Sequence, residues 1–242
     1  MIIDLIRNFN RKEADVGSYL TFKSSTPMTI TPNYTNSGIT LQYSLDTETW
    51  TNIAAKAATP SSNVIYFRGS ATGTKSLFTD YSTDNAWLFT NANNLEVNGD
   101  VTMLLQDSLG DMVRDIPLGN YAFASMLYNC TSLTTAPALP ATTLADSCYN
   151  SMLRGCTSLT TAPALPATTL APSCYQSMFQ NCGKIKISTT KVGSYNNTYR
   201  VPFEGTGTVA TNSLLDMFTG TGGTFTGTPT INTTYYTENQ VI

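Results

Sequence analysis

The feature that most constrains this chain is an internal repeat. Cys130, Cys156 and Cys182 are separated by 26 residues each, and Met126, Met152 and Met178 keep the same step. Cys148 and Cys174, Leu133 and Leu159, Pro137 and Pro163, Pro140 and Pro166, and Leu144 and Leu170 pair at the same interval. A unit this short cannot bury its own apolar side. Neighbouring units must stack to make a continuous core, so the period predicts a solenoid.

Each unit reads in two parts. Residues 133–139 are extended; proline has no N–H to give a ladder, so either the strand is short or Pro137 sits where no donor is needed. Residues 144–153 read as a brief helix, with Cys148 and Met152 turned inward and Tyr149 a further inward candidate. The predicted repeat core is Met126, Cys130, Leu133, Leu144, Cys148, Met152, Cys156, Leu159, Leu170, Cys174, Met178 and Cys182. Two full copies are few for a stack, so the flanks are expected to complete it. Residues 95–120 read as a degenerate first unit that buries Met103, Leu104 and Leu105. After Cys182 the period fails. Met217 lies 39 residues beyond Met178, one period plus thirteen. Residues 183–242 therefore read as an atypical end cap with an insertion around 189–200.

Upstream the pattern differs. Ile39, Leu41 and Tyr43 alternate with polar residues, and similar short alternations occur at 19–22, 28–30, 50–53, 64–68, 87–89 and 95–97. Spaced by Asn, Gly, Ser and Pro turns, they predict a β-sandwich over 17–100. Residues 1–16 read as an amphipathic helix with Ile2, Ile3, Ile6 and Phe9 on one face, either docked on its own domain or serving as an anchor or oligomer contact. Asp4 and Arg7 interrupt its apolar run, so no signal peptide is expected. No later stretch is apolar for long enough to span a membrane. The expected divisions are 1–16, 17–100, 101–182 and 183–242.

Composition limits the chemistry. There is no histidine, which excludes Ser-His-Asp triads, Cys-His dyads and histidine metal sites. Lys and Arg number 13 against 16 acidic residues, too few to neutralise many phosphates, so nucleic acid is not an expected partner. Threonine supplies 41 of the 242 residues, a composition that favours strands and wets a surface without charge. Five cysteines cannot all pair within one chain. They read as reduced ladder residues, with a disulfide between adjacent coils as the alternative. Asp107, Asp111 and Asp115 step by four and read as a solvated stretch between domains, with cation binding or acid–base work as the alternative. Asp46 with Glu48, and Asp80 with Asp84, read as turn residues rather than a calcium site. No cofactor or metal is expected. Tyrosines combine an apolar face with a hydroxyl, so Tyr128, Tyr149, Tyr175, Tyr195 and Tyr199 are the candidate ligand-binding residues. The alternative is that the repeat tyrosines close the core.

The repeat running from Asn129 to Ala145, followed by Cys148, Tyr149 and Met152, resembles the BspA-like leucine-rich repeats of gut bacterial surface proteins and of the phages that infect those bacteria. The segments 41–50 and 66–69 resemble the β-sandwich that accompanies them. The resemblance covers roughly residues 18–242. The fold so implied is mixed β and α/β: an N-terminal β-sandwich, then a short leucine-rich-repeat solenoid of 26-residue units with an atypical C-terminal cap. The resemblance implies adhesion rather than catalysis. Bacterial members usually carry a secretion signal and tend to have longer arrays, and neither is expected here. A surface-type protein without an export signal is what a virion component would look like. The expected function is a non-enzymatic phage fibre or decoration protein. It would contact other virion proteins through its N-terminus and host surface glycan or protein elsewhere. It would form a homo-oligomer, a trimer being one form. A bacterial cell-surface adhesion protein is the alternative.

Overall fold

In a computed structural model, the structure describes residues 19–111, 113 and 115–239. It is mostly β, with two mixed sheets and almost no helix. The expected N-terminal helix, with Ile2, Ile3, Ile6 and Phe9, lies outside the described residues.

The first sheet contains β1 (Leu20–Thr31), β2 (Ile39–Ser44), β3 (Thr51–Ile53), β4 (Ser62–Ala71), β5 (Leu88–Thr90), β6 (Leu95–Asn98) and β7 (Leu133–Thr135). Its order is β3-β2-β4-β1-β6-β7, with β5 on the far half of β1. The alternations at 19–22 and 28–30 are one long strand. Its pairing to β4 slips between Lys23 and Met28, where an irregularity lets the strand bend. Period-2 burial is clear in β4, where Ile65, Phe67 and Ala71 face in. Phe22, Phe67 and Trp87 form the aromatic centre, with ring centroids 5.1–5.8 Å apart. The buried Trp87 indole N–H donates to the Asn33 carbonyl at 2.9 Å.

The pairing of β6 with β7 is parallel, Leu95 opposite Leu133. It joins the first part of the chain to the repeats through one sheet. The core follows the same route: a single cluster of buried side chains runs from Leu20 to Tyr235. Met103, Leu104 and Leu105 belong to the buried interior, the first two within a 3-10 turn at Val101–Leu104 and the third at its end.

The brief helix expected at 144–153 is not formed. Residues 121–130, 147–156, 173–182 and 212–221 are instead four coils of overlapping turns. Within each coil, alternate N–H groups close turns onto the carbonyl three residues back, as Met126 does onto Phe123 and Met152 onto Tyr149. The intervening N–H groups point forward into the next coil. Phe123, Ser125 and Leu127 donate to the carbonyls of Cys148, Asn150 and Met152; Tyr149 and Ser151 donate to Cys174 and Gln176. From Phe123 to Cys130 every backbone N–H is thus used, as a buried ribbon requires.

Every second turn needs a residue with positive φ at its third position, as a type II turn does. Those positions are Ser125, Asn129, Ser147, Ser151, Gly155, Ser173, Ser177, Asn181, Asn212, Asp216 and Gly220, with φ from 52° to 75°; Tyr121, at φ 60° in the column of Ser147, is the one large residue among them. Small polar residues and glycine tolerate that region best. A helix cannot accommodate such a residue every fourth position. The helical reading failed because a four-residue turn period and a 3.6-residue helix period both put Cys148 and Met152 on one face.

The fourth coil arrives late. Ser173, Tyr175, Ser177, Phe179 and Asn181 donate to Thr211, Ser213, Leu215, Met217 and Thr219. Each acceptor sits thirteen residues beyond the position that the period gives. The intervening chain and the tail form the second sheet: β8 (Lys186–Ser188), β9 (Asn197–Tyr199), β10 (Gly222–Gly223) and β11 (Tyr235–Thr237), ordered β10-β8-β11-β9.

Candidate functional site

Stacking puts residues 26 apart in columns, and the columns decide which side chains can meet a ligand. Met126, Met152, Met178 and Met217 form one fully buried column. Cys130, Cys156 and Cys182 form another, in which the Cys156 and Cys182 thiols donate to the carbonyls of Leu127 and Leu153 at 3.2 and 3.1 Å. All five cysteines are free and buried. Burial pushes the thiols of Cys130, Cys174 and Cys182 up to about 12, and those of Cys148 and Cys156 well above their ordinary value. A thiol held neutral in this way is a packing group and not a nucleophile. Leu133, Leu159 and Leu170 are also buried, while Leu144 is half-buried at the rim of the core.

The tyrosines need correction. Tyr149 and Tyr175, candidates for a binding surface with closure of the core as the alternative, are both fully buried and take the alternative. They continue a column begun by Phe123: the rings stack at 5.6 and 5.8 Å, nearly parallel. Neither hydroxyl has a hydrogen-bond partner among the described residues, and burial raises both phenols well above their usual range. Tyr199 is buried too. Its ring meets Phe218 edge-on at 5.6 Å and its hydroxyl donates to the Pro163 carbonyl at 3.4 Å. The ring area outweighed the hydroxyl in all three. Tyr128 and Tyr195 remain partly accessible, and they lie on separate elements, Tyr128 in the first coil and Tyr195 in the loop before β9. The Arg154 guanidinium lies 5.7 Å over the Tyr128 ring, one column position along.

Other acidic candidates are structural. The Asp46 carboxylate accepts from the Glu48 and Thr49 amides and the Ser44 hydroxyl, which holds its pKa below the usual value. Asp115 accepts from the Thr142 amide and hydroxyl, Asp111 from the Ser108 amide, and Asp107 pairs with Lys75 at 2.6 Å. The three do not share a helix face. Among the described residues, no cluster of three His, Cys, Asp or Glu side chains could hold a metal ion. No helix among the described residues is long and apolar enough to cross a membrane.

Two surface features were not visible in the sequence pattern. On the outer face of the first sheet, Arg68 lies 4.2 Å over the Trp50 ring, and Tyr19 packs against that ring at 4.7 Å. The Arg68 Nε donates to Gln42, whose amide donates to Asn52. These side chains occupy one another and leave Trp50 half-buried. The second is a cleft of about 350 Å³ at the end of the fourth coil, between residues 209–215 and 228–231. Val209, Leu214, Leu215, Pro229 and Ile231 line it with small polar residues, and it holds no charged or aromatic side chain.

No family model, curated protein or solved structure matches the chain.

Proposed function

We propose that this chain is a non-enzymatic attachment module of a phage particle: a tail or head fibre, or a decoration protein, that holds a fixed surface against host glycan or protein. One observation carries the reading. The repeats and the N-terminal part share one core and one sheet, and backbone N–H groups join each of the four coils to the next. Such a body is stiff, and its surface of Thr, Asn and Tyr is polar without being charged, as recognition surfaces often are.

In this reading, residues 17–100 are a β-sandwich and 101–182 a short leucine-rich-repeat solenoid whose helices have become turn ribbons. Residues 183–242 form the cap. Residues 1–16 contact the particle and bring copies together, as a trimer. Tyr128 with Arg154, and Tyr195, supply accessible aromatic surface. The BspA-like resemblance of the repeat also fits a bacterial cell-surface adhesion protein.

Localisation tests the proposal. Antibody raised against the full chain should label purified particles from the source culture by immunogold microscopy. Labelling of bacterial envelopes alone would favour the adhesion reading, and labelling of neither would defeat both. Added in excess, the free chain should reduce adsorption of those particles to host cells.

A further inference from the structure

We propose that the cleft at the end of the fourth coil binds an extended, uncharged polypeptide segment of another protein, which adds to the stack as the next acceptor edge.

At one column position, every coil sends two N–H groups, two residues apart, into the coil that follows. Tyr121 and Phe123 donate to Asp146 and Cys148; Ser147 and Tyr149 donate to Pro172 and Cys174; Ser173 and Tyr175 donate to Thr211 and Ser213. The equivalent groups in the fourth coil are those of Asn212 and Leu214. Neither has an acceptor among the described residues. Further along the same edge the donors are satisfied: Asp216 donates to the Thr228 hydroxyl, Phe218 to the Gly227 carbonyl and Gly220 to the Thr226 hydroxyl. Beyond Thr228 the capping segment gives no acceptor to Asn212 or Leu214, and the cleft lies between them and residues 228–231.

The chemistry selects the occupant. This edge offers donors only, because the Asn212 and Leu214 carbonyls already accept from Leu215 and Met217 within the coil. A second copy cannot pair its own fourth coil here, since N–H would face N–H. Nor can a copy present its first coil. The acceptor edge there is covered by its own chain, with Ala122 and Met126 accepting from Leu77 and Trp87. What fits is a foreign backbone with carbonyls at alternate residues, the mode of strand addition to an open edge. The apolar lining favours a small aliphatic side chain beside those carbonyls, and the lack of charge disfavours an ionic ligand. A sugar ring packs its C–H face best on an aromatic ring, and none lines this cleft. The inference deepens the attachment reading by naming a partner class, but its test uses the isolated chain. A negative titration leaves particle labelling intact, and a negative labelling leaves the titration intact.

The probe is an acetylated, amidated hexapeptide copying residues 209–214, whose third and fifth carbonyls reproduce the acceptors of Ser173 and Tyr175. It is titrated at millimolar concentration into the full-length, nitrogen-15-labelled chain. The Asn212 and Leu214 amides should move downfield and exchange at least tenfold more slowly, while those of Ser173 and Tyr175 stay unchanged. Val209 is 58% exposed, so Val209→Glu should leave the melting temperature unchanged and weaken the peptide at least tenfold. Absence of any shift at the two amides overturns the proposal, as does equal binding by Val209→Glu. A response to maltohexaose in place of the peptide overturns it in favour of a glycan site.

Discussion

Gly155→Ala tests the stacking register directly. The column at this position runs Asn129, Gly155, Asn181, Gly220, and the two glycines lie beneath the carboxamides of the two asparagines. A Cβ on Gly155 would collide with the Asn129 carboxamide, whose Cγ would be only 3.2 Å away. Gly155 also sits at φ 75°, where an L side chain costs about 1–2 kcal/mol. Displacing the carboxamide costs about 1–2 kcal/mol, in the lower range for overpacking, because the side chain can swing. Loss of unfolded-state freedom returns about 0.4–1 kcal/mol. The expected net loss is about 2 kcal/mol, or about 4–8 °C in melting temperature for a chain of this size. Gly73→Ala is the control: its φ is 80°, but nothing lies within 4 Å of the new methyl. It should cost about 1 kcal/mol. In an Asn129→Gly background the collision is gone, so thermal melts of the four-member cycle should show a coupling of at least ~1 kcal/mol. If Gly155→Ala costs no more than Gly73→Ala, or the coupling is under ~0.5 kcal/mol, the two residues are not stacked and the register is wrong.

Met152→Ala should lower stability by about 2–5 kcal/mol in denaturant melts, because Met152 is fully buried between Met126 and Met178. Tyr149→Phe and Tyr175→Phe should each raise stability by about 1 kcal/mol, since each removes a buried hydroxyl without a partner; a loss would show that the hydroxyls are satisfied. At pH 8 the native chain should give no reaction with a thiol-specific chromogenic disulfide, and five thiols per chain in denaturant. The same thiols set an alkaline limit. Burial raises them from about 9 to about 12 in Cys130, Cys174 and Cys182, so above pH 9 the unfolded chain loses protons that the folded chain keeps. Stability is complete below about pH 9 and falls as pH rises toward 12, by up to about 1.4 kcal/mol per pH unit for each thiol. Urea midpoints measured from pH 7 to 11 should be flat and then drop; a flat profile throughout would mean that the thiols are solvated.

Much of the fold was legible because burial follows simple periods. Ile39, Leu41 and Tyr43 alternate and form a strand, and the 26-residue step places Met126, Met152 and Met178 in one column. Even the thirteen-residue offset of Met217 is reproduced by the hydrogen-bond register of the fourth coil. The local structure of the coils was not legible from apolar spacing alone. A second signal lay in the sequence: Ser147, Ser151 and Gly155, then Ser173, Ser177 and Asn181, repeat every fourth residue with types that accept positive φ. The tyrosines were misplaced for a different reason. A hydroxyl suggests a surface, but a column beginning with Phe123 had already committed Tyr149 and Tyr175 to the interior. The open donors of Asn212 and Leu214 depend on where a cap stops.

The coils also explain why the tail is so rich in threonine. A stack in which every edge is either all donor or all acceptor has a direction, and it cannot end by symmetry. The acceptor end is closed by backbone N–H groups at Leu77 and Trp87, because that end needs donors. The donor end needs acceptors, and another coil would only pass the same requirement onward. Thr226 and Thr228 meet it with hydroxyl oxygens on either side of the Gly227 carbonyl. A hydroxyl can accept from the coil and still donate elsewhere, as Thr226 does to the Phe218 carbonyl at 2.9 Å. Side chains therefore stop the ladder where a further strand would have continued it. The two donors beyond their reach, at Asn212 and Leu214, follow from using three residues to close an edge of five.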